Sequence, residues 1–205
     1  MRALDVTETC PPKAEFDVKD VCFPNGGGLI TEADARLLQY CARQAEATAI
    51  LEIGTKRGAS AIVLCKELAK HDGHLYCIDP AFHSKLHEQL ALHGVEHQIT
   101  RITGLSPWVG HEVVPAVLDM LWIDGDHSSL GALGDFIFWE PRVRAGGIIA
   151  FHDYSSRYAQ GISRGSVEAA VDLILNERPD LVEIGFVAKG DGGAIAFQKL
   201  AEGRT

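Results

Sequence analysis

Ile50-Leu51-Glu52-Ile53-Gly54-Thr55-Lys56-Arg57-Gly58-Ala59-Ser60 decides how the rest of the chain is read. An apolar run closes on an acidic residue, a glycine turn follows, and a second glycine opens the helical pattern Ala61-Ile62-Val63-Leu64-Cys65-Lys66-Glu67-Leu68. Strand, tight turn and helix form the repeating unit of an open α/β sheet, whose ligands bind in the crevice at the carboxyl ends of the strands. Gly54 can take backbone angles barred to other residues and lets a ligand approach the chain, and Gly58 lets the helix start close to the strand. Glu52 and Ser60 are expected to point polar groups at the same place.

Outward from this unit, the same grammar repeats. Upstream, Thr31 and Asp34 cap a helix that runs to about Ala45, with Ala33, Leu37, Leu38 and Cys41 at helical spacing. The first strand then covers Ala47 to Ile53, and the helix after the turn reaches about His71. A second strand, His74 to Pro80, ends in Asp79, about 25 residues past Gly54. That is near the offset at which an acid grips ribose hydroxyls in nucleotide-binding α/β folds; the alternative for Asp79 is a helix cap or turn residue. A helix is expected over Ser84–His93, a third strand over Gln98–Thr103, a short helix over His111–Ala116 and a fourth strand over Val117–Asp124. A helix from Leu130 to Val143, a turn at Ala145-Gly146-Gly147 and a fifth strand, Ile148–Phe151, follow. After a polar loop, Ser155–Arg164, come a helix, Val167–Glu177, and two strands, Leu181–Val187 and Ala194–Leu200. Their short glycine-rich connection implies an antiparallel hairpin. The fold expected is an α/β sandwich on a mostly parallel sheet.

The 205 residues suit one domain, read as residues 31–205, preceded by residues 1–30 as an N-terminal arm or a lid. With 46% apolar residues the chain should be globular. A net charge of −9 and the lack of a long basic run argue against a nucleic-acid partner. No run approaches the length of a membrane span, no signal peptide is read, and a cytoplasmic location is the default. The five cysteines are odd in number and never form C-x-x-C, which argues against a disulfide framework or structural zinc. His83/His87 and His93/His97 have metal-compatible spacing but no matching acids, so solvated histidines are favoured. Arg157, Tyr158 and Arg164 could meet an anionic substrate, although a solvated loop is the preferred reading.

Four strand ends carry polar side chains: Glu52; Asp79; Asp124 with Asp126 and His127; and His152 with Asp153. In a parallel sheet these ends share one rim. A carboxylate buried without a partner costs several kcal/mol, roughly, so a rim of them points to a site.

Glu52-x-Gly54-x-x-x-Gly58, Ile78-Asp79, Asp124-Gly125-Asp126-His127-Ser128 and Gly146-Gly147-x-x-x-Phe151-His152-Asp153-Tyr154 together resemble class I S-adenosylmethionine-dependent methyltransferases. The branch they resemble is the small bacterial O-methyltransferase-like group, related to catechol O-methyltransferase and to macrolide-sugar O-methyltransferases. The resemblance covers about residues 30–200. It implies a Rossmann-like three-layer sandwich with a seven-stranded sheet and an antiparallel C-terminal hairpin. It implies S-adenosyl-L-methionine as cofactor, with Glu52, Gly54, Thr55, Lys56 and Gly58 lining its methionine half. Ser60 would hold its carboxylate, Asp79 its ribose, and Leu105, Ser106, Asp124 and Gly125 would lie along the adenine side.

The resemblance further implies a divalent metal on Asp124, His152 and Asp153, which would lower the pKa of a substrate hydroxyl. Asp126 or His127 would take the proton. His152 stands where catechol-type enzymes have an acid. Three versions stay open: a metal softer than magnesium, such as manganese; His152 as base; or no metal at all. The substrate implied is a small molecule bearing a hydroxyl, and a homo-oligomer is compatible with the reading. The rivals are a non-catalytic or regulatory protein retaining the fold and an NAD-dependent oxidoreductase. The latter normally shows G-x-G-x-x-G, which this turn lacks.

Overall fold

The structure, a computed structural model, describes residues 30–154, 166–189 and 192–201. Residues 1–29, most of the segment expected as an N-terminal arm or lid, and residues 155–165, which include Arg157, Tyr158 and Arg164, lie outside the described residues.

Helix α1 (Glu32–Gln44) starts on a full capping box: Thr31 accepts from the Asp34 amide, and the Asp34 carboxylate accepts from the Thr31 amide. Then come β1 (Ala49–Ile53), α2 (Ala59–Leu68), β2 (His74–Asp79), α3 (Leu86–Leu92), β3 (Ile99–Thr103) and β4 (Leu118–Ile123). The chain continues through α4 (Ser129–Trp139), β5 (Val143–His152), α5 (Val167–Glu177), β6 (Leu181–Lys189) and β7 (Gly192–Lys199). The seven strands lie in the order β3-β2-β1-β4-β5-β7-β6. The first five are parallel, and β7 slots antiparallel between β5 and β6. This is the Rossmann-like sandwich with a closing hairpin that the sequence implies.

Period-two alternation along β1 sorts the core into two layers. Ile50 and Glu52 face the layer built on α1 and α2, while Leu51 and Ile53 face the layer built on α4 and α5. Trp122 belongs to the first layer and Trp139 to the second, and both are fully buried. Asp119 ties the far end of the sheet together. It accepts from the Thr48 and Ala49 amides at 2.8 and 2.9 Å and from Arg144 Nε at 2.6 Å.

Two expected elements differ. The segment 111–116 is a set of turns rather than a helix: Gly110 carbonyl takes the Val113 and Val114 amides, and Pro115 cannot continue the spiral. Helix α4 stops at Trp139 because Pro141 forces a 3₁₀ turn, and β5 begins at Val143 instead of Ile148. The Gly146-Gly147 pair therefore lies within the strand, where the register with β4 shifts between Leu118 and Met120. No helix among the described residues is long and apolar enough to cross a membrane.

Candidate active site

The strand order reverses between β1 and β4, and a cleft of about 1700 Å³ opens over their carboxyl ends. Gly54, Thr55, Lys56, Ser60, Asp79, Leu105, Ser106, Asp124, Gly125, Asp126, His127, His152 and Asp153 all line it. Glu52 and Gly58 do not.

The turn after β1 is held by Asp79. Its Oδ2 accepts the amides of Thr55 and Lys56 at 2.9 and 2.7 Å, and its Oδ1 accepts that of Ala81 at 2.7 Å. Oδ2 is filled by its two amides, while Oδ1 retains acceptor capacity for a ligand hydroxyl. Gly54 and Gly58 sit at φ 85° and 87°, the left-handed region that favours glycine. At Gly58 a Cβ would lie 2.3 Å from Leu86 Cδ1, so this glycine admits α3 rather than a ligand. Gly58 is also the N-cap of α2 and offers no side chain to its first amides, which leaves that helix end open to an anion.

Glu52 is fully buried beneath the turn. Its carboxyl accepts from Thr55 Oγ1 at 2.8 Å, from Cys77 Sγ at 3.0 Å and from Ser60 Oγ. Burial pushes its pKa up to about 7, against the opposing effect of these donors. The Ser60 hydroxyl donates to Glu52, so Ser60, itself in the cleft lining, links the cleft wall to the buried carboxyl that braces the turn from inside.

On the other side, Ser106 Oγ accepts from Trp139 Nε1 at 2.9 Å, and Leu105 and Trp108 are exposed at the cleft. A Cβ at Gly125 would lie 3.0 Å from Ile53 and 3.4 Å from Asp135 Oδ2. Asp135 lines the cleft nearly buried, and burial raises its pKa to about 6, with Asp126 adding and a Ser106 hydrogen bond opposing. The sequence reading missed Asp135, although a lone acid in the apolar helix Leu130-Gly131-Ala132-Leu133-Gly134-Asp135-Phe136-Ile137-Phe138-Trp139 was the signal available.

At the ends of β4 and β5 two imidazoles interleave with two carboxylates. His152 Nδ1 lies 3.0 Å from Asp124 Oδ1 and 3.7 Å from Asp153 Oδ2. His127 Nδ1 lies 2.8 Å from Asp153 Oδ2, and its Nε2 is 3.6 Å from Asp124 Oδ1. Hydrogen bonds to Asp124 and Asp153 push the His127 pKa up to about 10. Burial opposes a charge on His152, but Asp124 and Asp34 outweigh it and raise the pKa to about 11. Asp124 is held below the ordinary carboxylate range: burial works the other way, and His152 and His127 overcome it. Asp126 is exposed and turned to the start of α4, where its Oδ1 accepts the Ser128 amide at 2.9 Å.

Asp124, His152 and Asp153 each offer an atom within 4.8 Å of the others, the one metal-capable grouping of three among the described residues. Two carboxylates and one imidazole suit a divalent ion. His83, His87, His93 and His97 join no such grouping. Cys41, Cys65 and Cys77 are buried free thiols, as their apolar surroundings in sequence imply.

Among known proteins, a protein of Mycobacterium sp. (strain JLS), named "Putative O-methyltransferase", is 32% identical over 131 residues, which span 62% of this chain and 58% of that protein. The fold is shared with the O-methyltransferase of Bacillus cereus, solved with SAH (TM-score 0.71, 20% identity, 95% of both chains). It is shared too with TomG of Streptomyces achromogenes, an O-methyltransferase of tomaymycin synthesis solved with SAM (TM-score 0.68, 22% identity, 94% of both chains). Residues 51–154, which hold the end of β1, its turn and every rim residue from Glu52 to Asp153, match the family described as a methyltransferase domain, and the chain belongs to that family.

Proposed function

We propose that the protein transfers a methyl group from S-adenosyl-L-methionine to a hydroxyl of a small molecule. The observation that carries this reading is one cleft with two unlike ends. One end has an amide-rich turn gripped by Asp79, and the other a cluster of carboxylates and imidazoles. Family membership and the SAM and SAH complexes of the structural relatives support it.

In this reading Asp79 receives the ribose hydroxyls, and the uncapped start of α2 faces the cofactor's carboxylate. Ser106, Gly125 and the missed Asp135 bound the adenine, with Asp135 able to accept from its exocyclic amine. Asp124, His152 and Asp153 would hold a divalent metal, which when bound lowers the pKa of the substrate hydroxyl. His127 takes the hydroxyl proton. It is preferred to Asp126 because it reaches into the cluster through Asp124 and Asp153, while Asp126 is tied to the helix start. As the O–CH₃ bond forms, the S–CH₃ bond breaks and S-adenosylhomocysteine leaves, the electron pair passing to sulfur. Exposed Leu105, Trp108 and Leu130 at the cleft mouth favour an acceptor with an apolar body.

Calorimetric titration with S-adenosylhomocysteine, with NADH as control and chelator present, tests this. Micromolar binding of the former alone is expected. Binding of NADH alone, or of neither, would remove the methyltransferase reading.

A further inference from the structure

His152 has two ring nitrogens, and only one of them faces the rim. Nδ1 points at Asp124 and Asp153, whereas Nε2 points back into the layer beneath α1, 3.6 Å from Asp34 Oδ2. Asp34 is 1% exposed and His152 is 5% exposed. Nε2 of His152 and Oδ1 of Asp34 are both buried without a hydrogen-bond partner. The Trp122 ring, whose Nε1 is likewise unpartnered, lies 5.5 Å from the imidazole. A carboxylate and an imidazole buried with these atoms unpartnered need a reason, because burying charge there is costly.

Capping does not supply it. Thr31 and Asp34 close the capping box through Oδ2 alone, at 2.8 Å from the Thr31 amide and 2.7 Å from its hydroxyl. A residue with no approach to His152 could do the same. What the box does achieve is to fix the carboxyl group behind the ring.

We infer that Asp34 is the outer carboxylate of a carboxylate–histidine–metal relay whose inner ligands are His152 Nδ1, Asp124 and Asp153, and that this relay makes the centre select a transition-metal ion over magnesium. The inference rests on the proposed metal at that rim. The donor set fits. Nδ1 is 3.0 and 3.7 Å from the two carboxylate oxygens, separations that ligands of one ion at about 2.1 Å also show. A histidine ligand usually gives its second N–H to a carboxylate, which fixes the tautomer and raises the basicity of the ligating nitrogen. Asp34 stands on that side of the ring, its Oδ2 3.6 Å from Nε2, a separation that has to shorten for the hydrogen bond to form. Magnesium prefers an all-oxygen shell, and an imidazole shifts preference toward manganese, cobalt or zinc. Asp34 is thus a positioning residue on the first helix, outside the segment matched by the family.

The test uses the full chain, stripped with chelator, and titrates Mn²⁺, Co²⁺, Zn²⁺ and Mg²⁺ by calorimetry, with the Co²⁺ visible spectrum as a second readout. The wild type should bind Mn²⁺ or Co²⁺ at least ~10-fold tighter than Mg²⁺. Asp34→Asn, which keeps a cap oxygen, should weaken the transition metals by about 10–100-fold, change the Co²⁺ spectrum and leave Mg²⁺ binding almost untouched. Thr31→Ala, which breaks the capping box and leaves the Asp34 carboxylate, should change them less than about 3-fold. His152→Asp should reverse the preference toward Mg²⁺. The relay is overturned if Asp34→Asn matches the wild type, if Thr31→Ala weakens metal as much as Asp34→Asn, or if the wild type binds no metal. S-adenosylhomocysteine binding in chelator separates the two readings. Cofactor without metal ends the relay alone, and metal without cofactor ends the methyltransferase reading alone.

Discussion

The Cβ that Gly54 lacks would lie 2.1 Å from the carbonyl oxygen of Asp124. The turn after β1 folds across the end of β4, where the Asp124 amide donates to the Ile53 carbonyl at 2.8 Å. Gly54 therefore serves first to join the two strands that flank the cleft. Its φ of 85° adds a second barrier to any other residue. Because the obstructing atoms are backbone, they cannot swing aside. Gly54→Ala should destabilise the fold by roughly 3–5 kcal/mol in urea unfolding. A loss under ~1 kcal/mol would mean the turn can re-form elsewhere.

Glu52 predicts an unusual pH response. Its folded pKa is raised from 4.5 to about 7, so the folded chain binds that proton more tightly than the unfolded chain. The stabilising contribution is whole below about 4.5 and is lost as pH rises through about 7. Glu52→Gln removes the ionisation. The unfolding free energy of the wild type minus that of the variant should therefore fall by roughly 3 kcal/mol between those limits and then level off. A difference that stays flat with pH would show that Glu52 ionises without penalty.

The contrast between Gly54 and Glu52 marks what the sequence displays. Strand, turn and helix at 50–68 were legible because they are local: an apolar run, two glycines and an apolar helix. The aim of Glu52 was not: its sequence position at the strand end suggests a cofactor contact, whereas the carboxyl lies buried beneath the turn, on the face of Ile50, bonded to Thr55, Cys77 and Ser60. The helix expected at 111–116 failed because six residues ending near Pro115 cannot outlast their own nucleation. The early start of β5 was hidden by Gly146-Gly147, which reads as a turn and is a strand irregularity. Asp135 announces itself only as a lone acid in an apolar helix, and Asp34 reads as a cap, because no local pattern records which helix face meets which strand end.

Asp119 offers a control for function. It sits at the opposite end of the sheet from the cleft and binds two β1-side amides, the Thr48 hydroxyl and Arg144. Burial opposes its charge, but Arg144 and these donors hold its pKa below the ordinary value. A depressed carboxylate stabilises above its unfolded pKa, and that stability fades as pH falls through the folded value. Asp119→Ala should cost about 2–4 kcal/mol near neutral pH, with the deficit shrinking in acid. S-adenosylhomocysteine affinity measured well below the variant's melting temperature should change less than about 3-fold. A large loss of affinity with little loss of stability would contradict the assignment of the cleft to the other rim.

His127 and Asp153 set the pH at which the proposed base becomes available. Hydrogen bonds to Asp124 and Asp153 raise the imidazole pKa to about 10, so at neutral pH the ring of the metal-stripped protein carries its proton. A base must be neutral to accept a proton, and each carboxylate near the ring delays that state. Asp153→Asn removes the closer partner, 2.8 Å from Nδ1, and should lower the His127 midpoint by at least ~1 pH unit. The neutral fraction at a given pH then rises. The measurement is an imidazole NMR titration of wild type and variant in chelator, with His127→Gln to assign the signal. An unmoved midpoint would show that Asp124 alone holds the charge. If the signal of His127 already titrates near 6.5 in the wild type, the interleaved pairs of the rim are not formed in solution.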